Sequence, residues 1–325
     1  MAPRDDDTVR IRPPSVADLV VQPPPKSSSR RRFLICAACA GAAAASGGLG
    51  WWLFGSKKAP PAKLASKIVI RTAGEQAICD NHPADLDVFR FDKNPQIMVL
   101  DFASLARQGS MLNRVAAMSE KIGIRHDQAL DDISLDAAIR AGGDTPETFY
   151  YGHDYGAVEL RSFFASTDRQ KLKLTPDEVW LRRLLEQEGG IAKGDSLGLI
   201  SIPAVDEGGV TLDMRSTILH HELSHGEFFT NPAYEAWTTQ FWAKTLDAPT
   251  RDAFRKFLVS ENYDSGIESL MANETQAYLM FTPSPDFFRA DLVGLDDLTI
   301  KNLRRQFREG MPPGWLRDVA MREAR

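Results

Sequence analysis

The stretch Ile218-Leu219-His220-His221-Glu222-Leu223-Ser224-His225-Gly226 carries the chemistry of this chain. His221 and His225 are four positions apart, and on a helix such positions share one face. Two imidazoles so placed can both reach one metal ion. Glu222 follows the first of them and projects to the side of the pair, where it can touch a water at the ion without ligating it. This H-E-x-x-H spacing is what metal-assisted hydrolysis needs, with Glu222 as general base. His220 points about 100° away from His221 on a helix, which favours packing or support of the ligands over ligation. His82 and His126 have no partner close in sequence and read as loop or surface residues.

A catalytic zinc takes three protein ligands and leaves its fourth position to water. A metzincin would need Gly at 228 and His at 231; the chain has Phe228 and Asn231, so that class is excluded. The other common answer is a carboxylate from a second helix. Asn273-Glu274-Thr275-Gln276-Ala277-Tyr278 supplies one, with Glu274 placed 49 residues after His225. Glu268 and Glu261 are rivals that lack a flanking small residue.

The pattern Asn-Glu-x-x-Ala resembles the second-helix motif of the gluzincins, the HExxH peptidases whose third zinc ligand is a Glu. The resemblance covers His221–Gly226 and Asn273–Ala277. It implies Zn2+ held by His221, His225 and Glu274, and a peptide or protein substrate. In that family an Asp four residues after the Glu braces a zinc-bound His; Tyr278 stands at that position here. The resemblance further implies an α+β, zincin-like domain whose small twisted sheet has an edge strand beside the HExxH helix. A peptide would bind by adding a strand to that edge. The zinc polarises the scissile carbonyl and acidifies a water. Glu222 takes the proton and passes it to the leaving amine. A further donor stabilises the oxyanion. Candidates for that donor are Tyr263, His220 and the run Tyr150-Tyr151-Gly152-His153-Asp154-Tyr155, although a buried aromatic cluster is the first reading of the run. The same bond chemistry would serve a zinc amidase acting on cell-wall peptides. A reading from another class is a non-catalytic, membrane-tethered binding or scaffolding protein; an intact Glu222 argues against it.

These residues need elements to position them. Lys67–Arg71 and Gln96–Leu100 read as strands. Ala103–Ile122 has apolar residues at helical spacing, and Ala129–Ala141 precedes Gly142-Gly143 as a second helix. Thr175-Pro176-Asp177-Glu178 opens a helix running to about Glu188, with Thr175 as cap and Glu178 closing a capping box. Leu197–Val205 alternates as a strand; Pro203 marks it as an edge, so Leu197–Pro203 is the candidate edge strand. From Thr211 on the pattern is helical, over about 212–228, 232–246, 249–259, 265–280, 295–308 and 314–324. Strands followed by helices indicate an α+β domain.

Composition bounds the rest. The chain has 325 residues, is 43% hydrophobic and 26% charged, and has a net charge of −5, which is ordinary for a globular protein and implies no affinity for nucleic acid. The charge is uneven: residues 1–58 hold nine Lys or Arg against four Asp, so the remainder is strongly acidic. Residues 1–28, rich in Pro and charge, read as a disordered cytoplasmic segment. Ser29-Arg30-Arg31-Arg32-Phe33-Leu34 resembles the twin-arginine export signal, which implies the twin-arginine export machinery as a partner. The run Phe33–Phe54 is uncharged and long enough to span a bilayer. Its flanking arginines keep the N-terminus inside, and Trp51-Trp52 suits an interface. Residues 29–55 are therefore expected to anchor the chain in a bacterial inner membrane. Cleavage at Ala43-Ala44-Ala45 would instead release it to the periplasm. Residues 56–66 read as a linker and residues 67–325 as the zincin-like metallopeptidase domain. Cys36 and Cys39 fall in the apolar run; Cys79 alone follows it, so the exported part has no internal disulfide.

Overall fold

The computed structural model describes residues 67–189 and 196–322. The expectations for residues 1–66 lie outside the described residues. In chain order the strands are β1 (Arg71–Ala73), β2 (Leu86–Phe91), β3 (Ile97–Phe102), β4 (His153–Gly156) and β5 (Gly198–Pro203). Five helices precede β5 or flank β4: α1 (Glu75–Cys79), α2 (Leu105–Ser119), α3 (Asp132–Gly142), α4 (Ala157–Gln170) and α5 (Pro176–Gln187). The rest is helical: α6 (Leu212–Thr230), α7 (Pro232–Gln240), α8 (Ala248–Ser260), α9 (Glu268–Phe281), α10 (Ala290–Val293), α11 (Asp297–Gly310) and α12 (Trp315–Arg322). The architecture is α+β.

The five strands form one mixed sheet in the order β1-β2-β3-β5-β4. β3 and β5 are parallel, and β4 runs antiparallel to β5 on the outside. All six residues of β3 are buried because helices cover both faces of the sheet. Met98, Leu100 and Phe102 pack with Met111, Leu112, Phe163 and Leu181 of α2, α4 and α5. Ile97 and Val99 point the other way, into a cluster with Ile200, Ile202, Leu219 and Leu223 of β5 and α6. A third cluster joins α7 to α12 around Tyr234, Phe241, Phe254, Phe281 and Phe307.

Local signals in the sequence are obeyed at several element ends. Thr175 and Glu178 make both bonds of the capping box. Gly143 ends α3 in the left-handed conformation, with φ 82°. Other expectations need correction. The first strand starts at Arg71, with Lys67–Ile70 outside it, and β2, β4, α4 and α10 were not foreseen. The expected edge strand Leu197–Pro203 is an inner one: β5 has β3 on one side and β4 on the other. Pro203 is tolerated there because it is the last residue of β5. β4 pairs only with Gly198–Ser201, so the missing N–H falls beyond the end of β4. Among the described residues no helix is long and apolar enough to cross a membrane.

Candidate metal centre

Thr211 caps α6 by accepting a hydrogen bond from the Met214 N–H at 3.2 Å. One flank of α6 presses Ile218, Leu219 and Leu223 on the sheet. Arg215, fully buried, fixes the helix further. It pairs with both oxygens of Asp101 on β3 at 2.8 and 2.9 Å and donates to the carbonyls of Ile78 and Cys79 at 2.7 and 2.9 Å. The opposite flank turns His221 and His225 toward α9, of which every residue from Met271 to Phe281 is buried.

Glu274 reaches the histidines from that helix. His221 Nε2 and His225 Nε2 are 3.0 Å apart, and the Glu274 carboxylate oxygens lie 3.9 Å from the first and 3.7 Å from the second. Ligands about 2.1 Å from one tetrahedral zinc stand about 3.4 Å from each other. The three atoms thus bracket the spacing that one ion requires. Both Glu274 oxygens, Glu222 Oε2 and His225 Nδ1 are buried without a hydrogen-bond partner of ordinary length. Buried polar atoms are nearly always satisfied; the Tyr263 hydroxyl and Lys121 offset part of the Glu274 charge, and a cation between the ligands would satisfy the rest.

The proton pattern agrees. The Thr282 hydroxyl donates to the Ala277 carbonyl at 3.0 Å, so it must accept from His221 Nδ1–H at 2.8 Å. His221 Nε2 is therefore a bare lone pair aimed at His225 Nε2. A hydrogen on His225 Nε2 or a metal ion between the two rings would satisfy that lone pair. Burial, then the neighbouring His225 and His220, holds the His221 imidazole well below its ordinary 6.5 and so in the neutral form that ligates metals.

The edge strand β4 brings a second set of groups. Strand alternation turns His153 and Tyr155 to the α2 side, and His153 is satisfied there by Ser201, Gln108 and Asn113. Gly152, Asp154 and Gly156 therefore share the face toward α6. A Cβ on Gly152 would fall 2.1 Å from Glu222 Oε1, and one on Gly156 would fall 3.0 Å from the Phe229 ring. Between these bare positions the Asp154 side chain reaches His225 Nδ1, 3.6 Å away. Gly-x-Asp-x-Gly is the price of letting β4 and α6 lie this close with one carboxylate between them.

Negative charge is concentrated here. Glu222, Glu274 and Glu120 are buried and held well above the ordinary carboxylate range, and Asp154 is raised too. In each case burial is the largest cause; for the three glutamates the charge of Asp154 is next. Two further groupings have ligand atoms within 4.8 Å of one another: Asp154, Glu222 and His225; and Glu120, Asp154 and Glu274. Lys121, under the rings of Phe149 and Tyr150 at 4.4 and 4.1 Å, offsets part of this charge at Glu274 and Glu120.

A cavity of about 130 Å³ opens beside His221 and Glu222. Tyr150, Tyr151, Tyr263, Tyr278 and Phe287 supply most of its walls. The aromatic run 150–155 is thus divided: Tyr150 and Tyr151 line the cavity, while Tyr155 is core. Tyr278 packs its ring edge-on against His221 at 4.9 Å, so the residue at the family's bracing position gives packing, and Thr282 gives the hydrogen bond.

The structure separates the other candidates. Glu268 is engaged away from the histidines, accepting from Trp242 and Arg255 at 2.7 and 2.6 Å. Glu261 lines the cavity but belongs to none of the ligand groupings. His220 turns to Glu75 of α1 at 2.8 Å, which fits support of the helix. His126 joins the Met118 carbonyl to Asp264. Thr282 and Glu120 escaped the sequence reading; Gly152 and Asp154 fell inside the run named for the oxyanion donor, and the alternation of Gly152, Asp154 and Gly156 was the signal for their place beside α6.

Comparison of the chain with family models, with curated proteins and with solved structures finds no match.

Proposed function

We propose that this chain is a zinc-dependent metallopeptidase of zincin-like fold, with His221, His225 and Glu274 as ligands and Glu222 as general base. The observation that supports it most is the meeting of His221, His225 and Glu274 at one point, with both Glu274 oxygens lacking a hydrogen-bond partner of ordinary length, next to a glutamate on a cavity wall. A zinc ion held there would supply Lewis acidity toward a carbonyl and a water. Glu222 supplies the rest of the hydrolysis. Its Oε2 has no partner, and burial, then the charge of Asp154, raises its proton affinity above that of an ordinary carboxylate. It takes a proton from water at the cavity and returns it to the leaving nitrogen. The cavity walls position the peptide and exclude bulk water. Tyr150 and Tyr263 are the nearest candidates for the oxyanion donor, since both line the cavity and burial keeps both phenols protonated.

The outer position of β4, antiparallel to β5, supports binding of an extended peptide along that edge. The twin-arginine resemblance and the apolar run support export and membrane attachment, with the catalytic part on the periplasmic side.

The test is to measure zinc in the purified full-length protein and to compare cleavage of a mixed peptide library by wild type and Glu222→Ala. About one zinc per chain is expected, with activity reduced about 10²–10⁴-fold in the variant. Zinc bound by both forms with cleavage by neither would identify a binding protein, and absence of zinc would remove the hydrolase reading.

A further inference from the structure

The gluzincin resemblance leaves one role vacant, since Tyr278 stands where the family has its bracing carboxylate. We infer that Asp154, from the edge strand β4, fills that role for His225 and acts as a positioning residue for the metal. The inference rests on the zinc reading above.

Three observations carry it. His225 Nε2 faces His221 and Glu274, so Nδ1 is the nitrogen left over, and it has no hydrogen-bond partner. The group facing it is Asp154 Oδ2 at 3.6 Å, a charge contact a few tenths of an ångström beyond a hydrogen bond. A bare nitrogen pointing at a carboxylate is repelled; a protonated one is attracted. Asp154 therefore selects the tautomer with hydrogen on Nδ1, which frees Nε2 as the ligand atom. Asp154 is itself tethered, accepting from Asn273 Nδ2 at 3.4 Å, and Asn273 immediately precedes Glu274 on α9. Gln276 extends the tether by donating to Ser224 Oγ, next to His225, at 3.1 Å and to Asn273 at 3.4 Å. One carboxylate thus links β4, α6 and α9 at the point where the ligands meet. The two imidazoles are held unequally: His221 by a neutral hydroxyl that relays to a carbonyl, His225 by a charge. A carboxylate partner orients an imidazole and makes it a stronger donor to a metal.

The experiment is a zinc titration of the full chain in competition with a chromophoric chelator, for wild type, Asp154→Asn and Asn273→Ala. Asp154→Asn keeps the side chain's shape and removes its charge. The inference expects its Kd for zinc to rise about 10–100-fold while the thermal midpoint of the metal-free form is not lowered. Asn273→Ala, which removes the tether of Asp154 and the acceptor of Gln276 but leaves the Asp154 charge, should raise Kd by less. A purely structural Asp154 would shift the midpoint and leave Kd alone. Wild-type affinity within twofold in both variants overturns the inference and leaves the zinc site standing. Should Asp154→Asn not fold, the Asn273→Ala titration decides alone, since an unchanged Kd there refutes the tether. If wild type itself takes up no zinc, the failure lies with the proposed function.

Discussion

Gly152 stands against Glu222 so closely that a single added carbon would lie 2.1 Å from the carboxylate oxygen and 2.7 Å from its carbon. The base of the proposed reaction is thereby held by the backbone of the edge strand. Glu222 is buried, and its one open side faces the cavity.

Gly152→Ala should accordingly displace the Glu222 carboxylate and spare the ligands. A shift of about 1 Å at a catalytic group costs about 100-fold in rate. We expect kcat to fall by about that factor at unchanged zinc content. Wild-type kcat in a folded Gly152→Ala protein would contradict the placement of Glu222 at the reacting atoms.

Glu274→Gln keeps the size of the third ligand and removes its charge. Zinc affinity should fall by more than about 100-fold, beyond the effect expected for supporting residues. The metal-free variant should melt higher than metal-free wild type at neutral pH, because a buried, partnerless carboxylate has been removed. Equal zinc affinity would reassign the ligand, and a lower melting point would show that the carboxylate is satisfied without metal.

The same substitution carries a pH signature. Burial raises the Glu274 carboxyl well above its ordinary 4.5, so between those two values the folded metal-free chain holds a proton that the unfolded chain has released. Stability is lost as pH rises through that window. His221, held below its ordinary 6.5, acts in the opposite direction below that pH but is common to both proteins. The stability gap between metal-free Glu274→Gln and wild type should therefore widen as pH rises above the ordinary 4.5 of a glutamate. Urea unfolding at several pH values measures it. A gap that is constant or shrinks would refute the raised carboxyl.

Thr282→Val removes the hydroxyl that holds His221 in its ligating tautomer and leaves the volume nearly unchanged. Zinc binding should weaken about 10-fold. Replacement by Ser, which retains the hydroxyl, should restore it.

How far these features could be read from the chain alone depends on whether a local period encodes them. His221, Glu222 and His225 sit on one helix, and four-residue spacing announces their common face. Glu274 was legible from its neighbours Asn273 and Ala277. The supporting groups carry no such signal, because Thr282 follows the end of α9 and Asp154 lies on a strand of only four residues. Pro203 misled because the residue marks an edge or an end, and its pairing partners decide which. β3 was legible as the apolar run Gln96–Leu100, whereas in β2 Asp87 and Arg90 break both a continuous apolar run and a regular alternation.

The atoms that would grip the ion come from 221 and 225 and from 274, with Asp154 and Thr282 facing the outer nitrogens of the two imidazoles. No early fragment contains the set: a chain ending before α9 has two imidazoles and no third ligand. Uptake of the proposed ion would then come late in the chain's maturation, after α9 and Thr282 have been made and have docked on α6. An ion arriving sooner would find only a transient, two-point foothold.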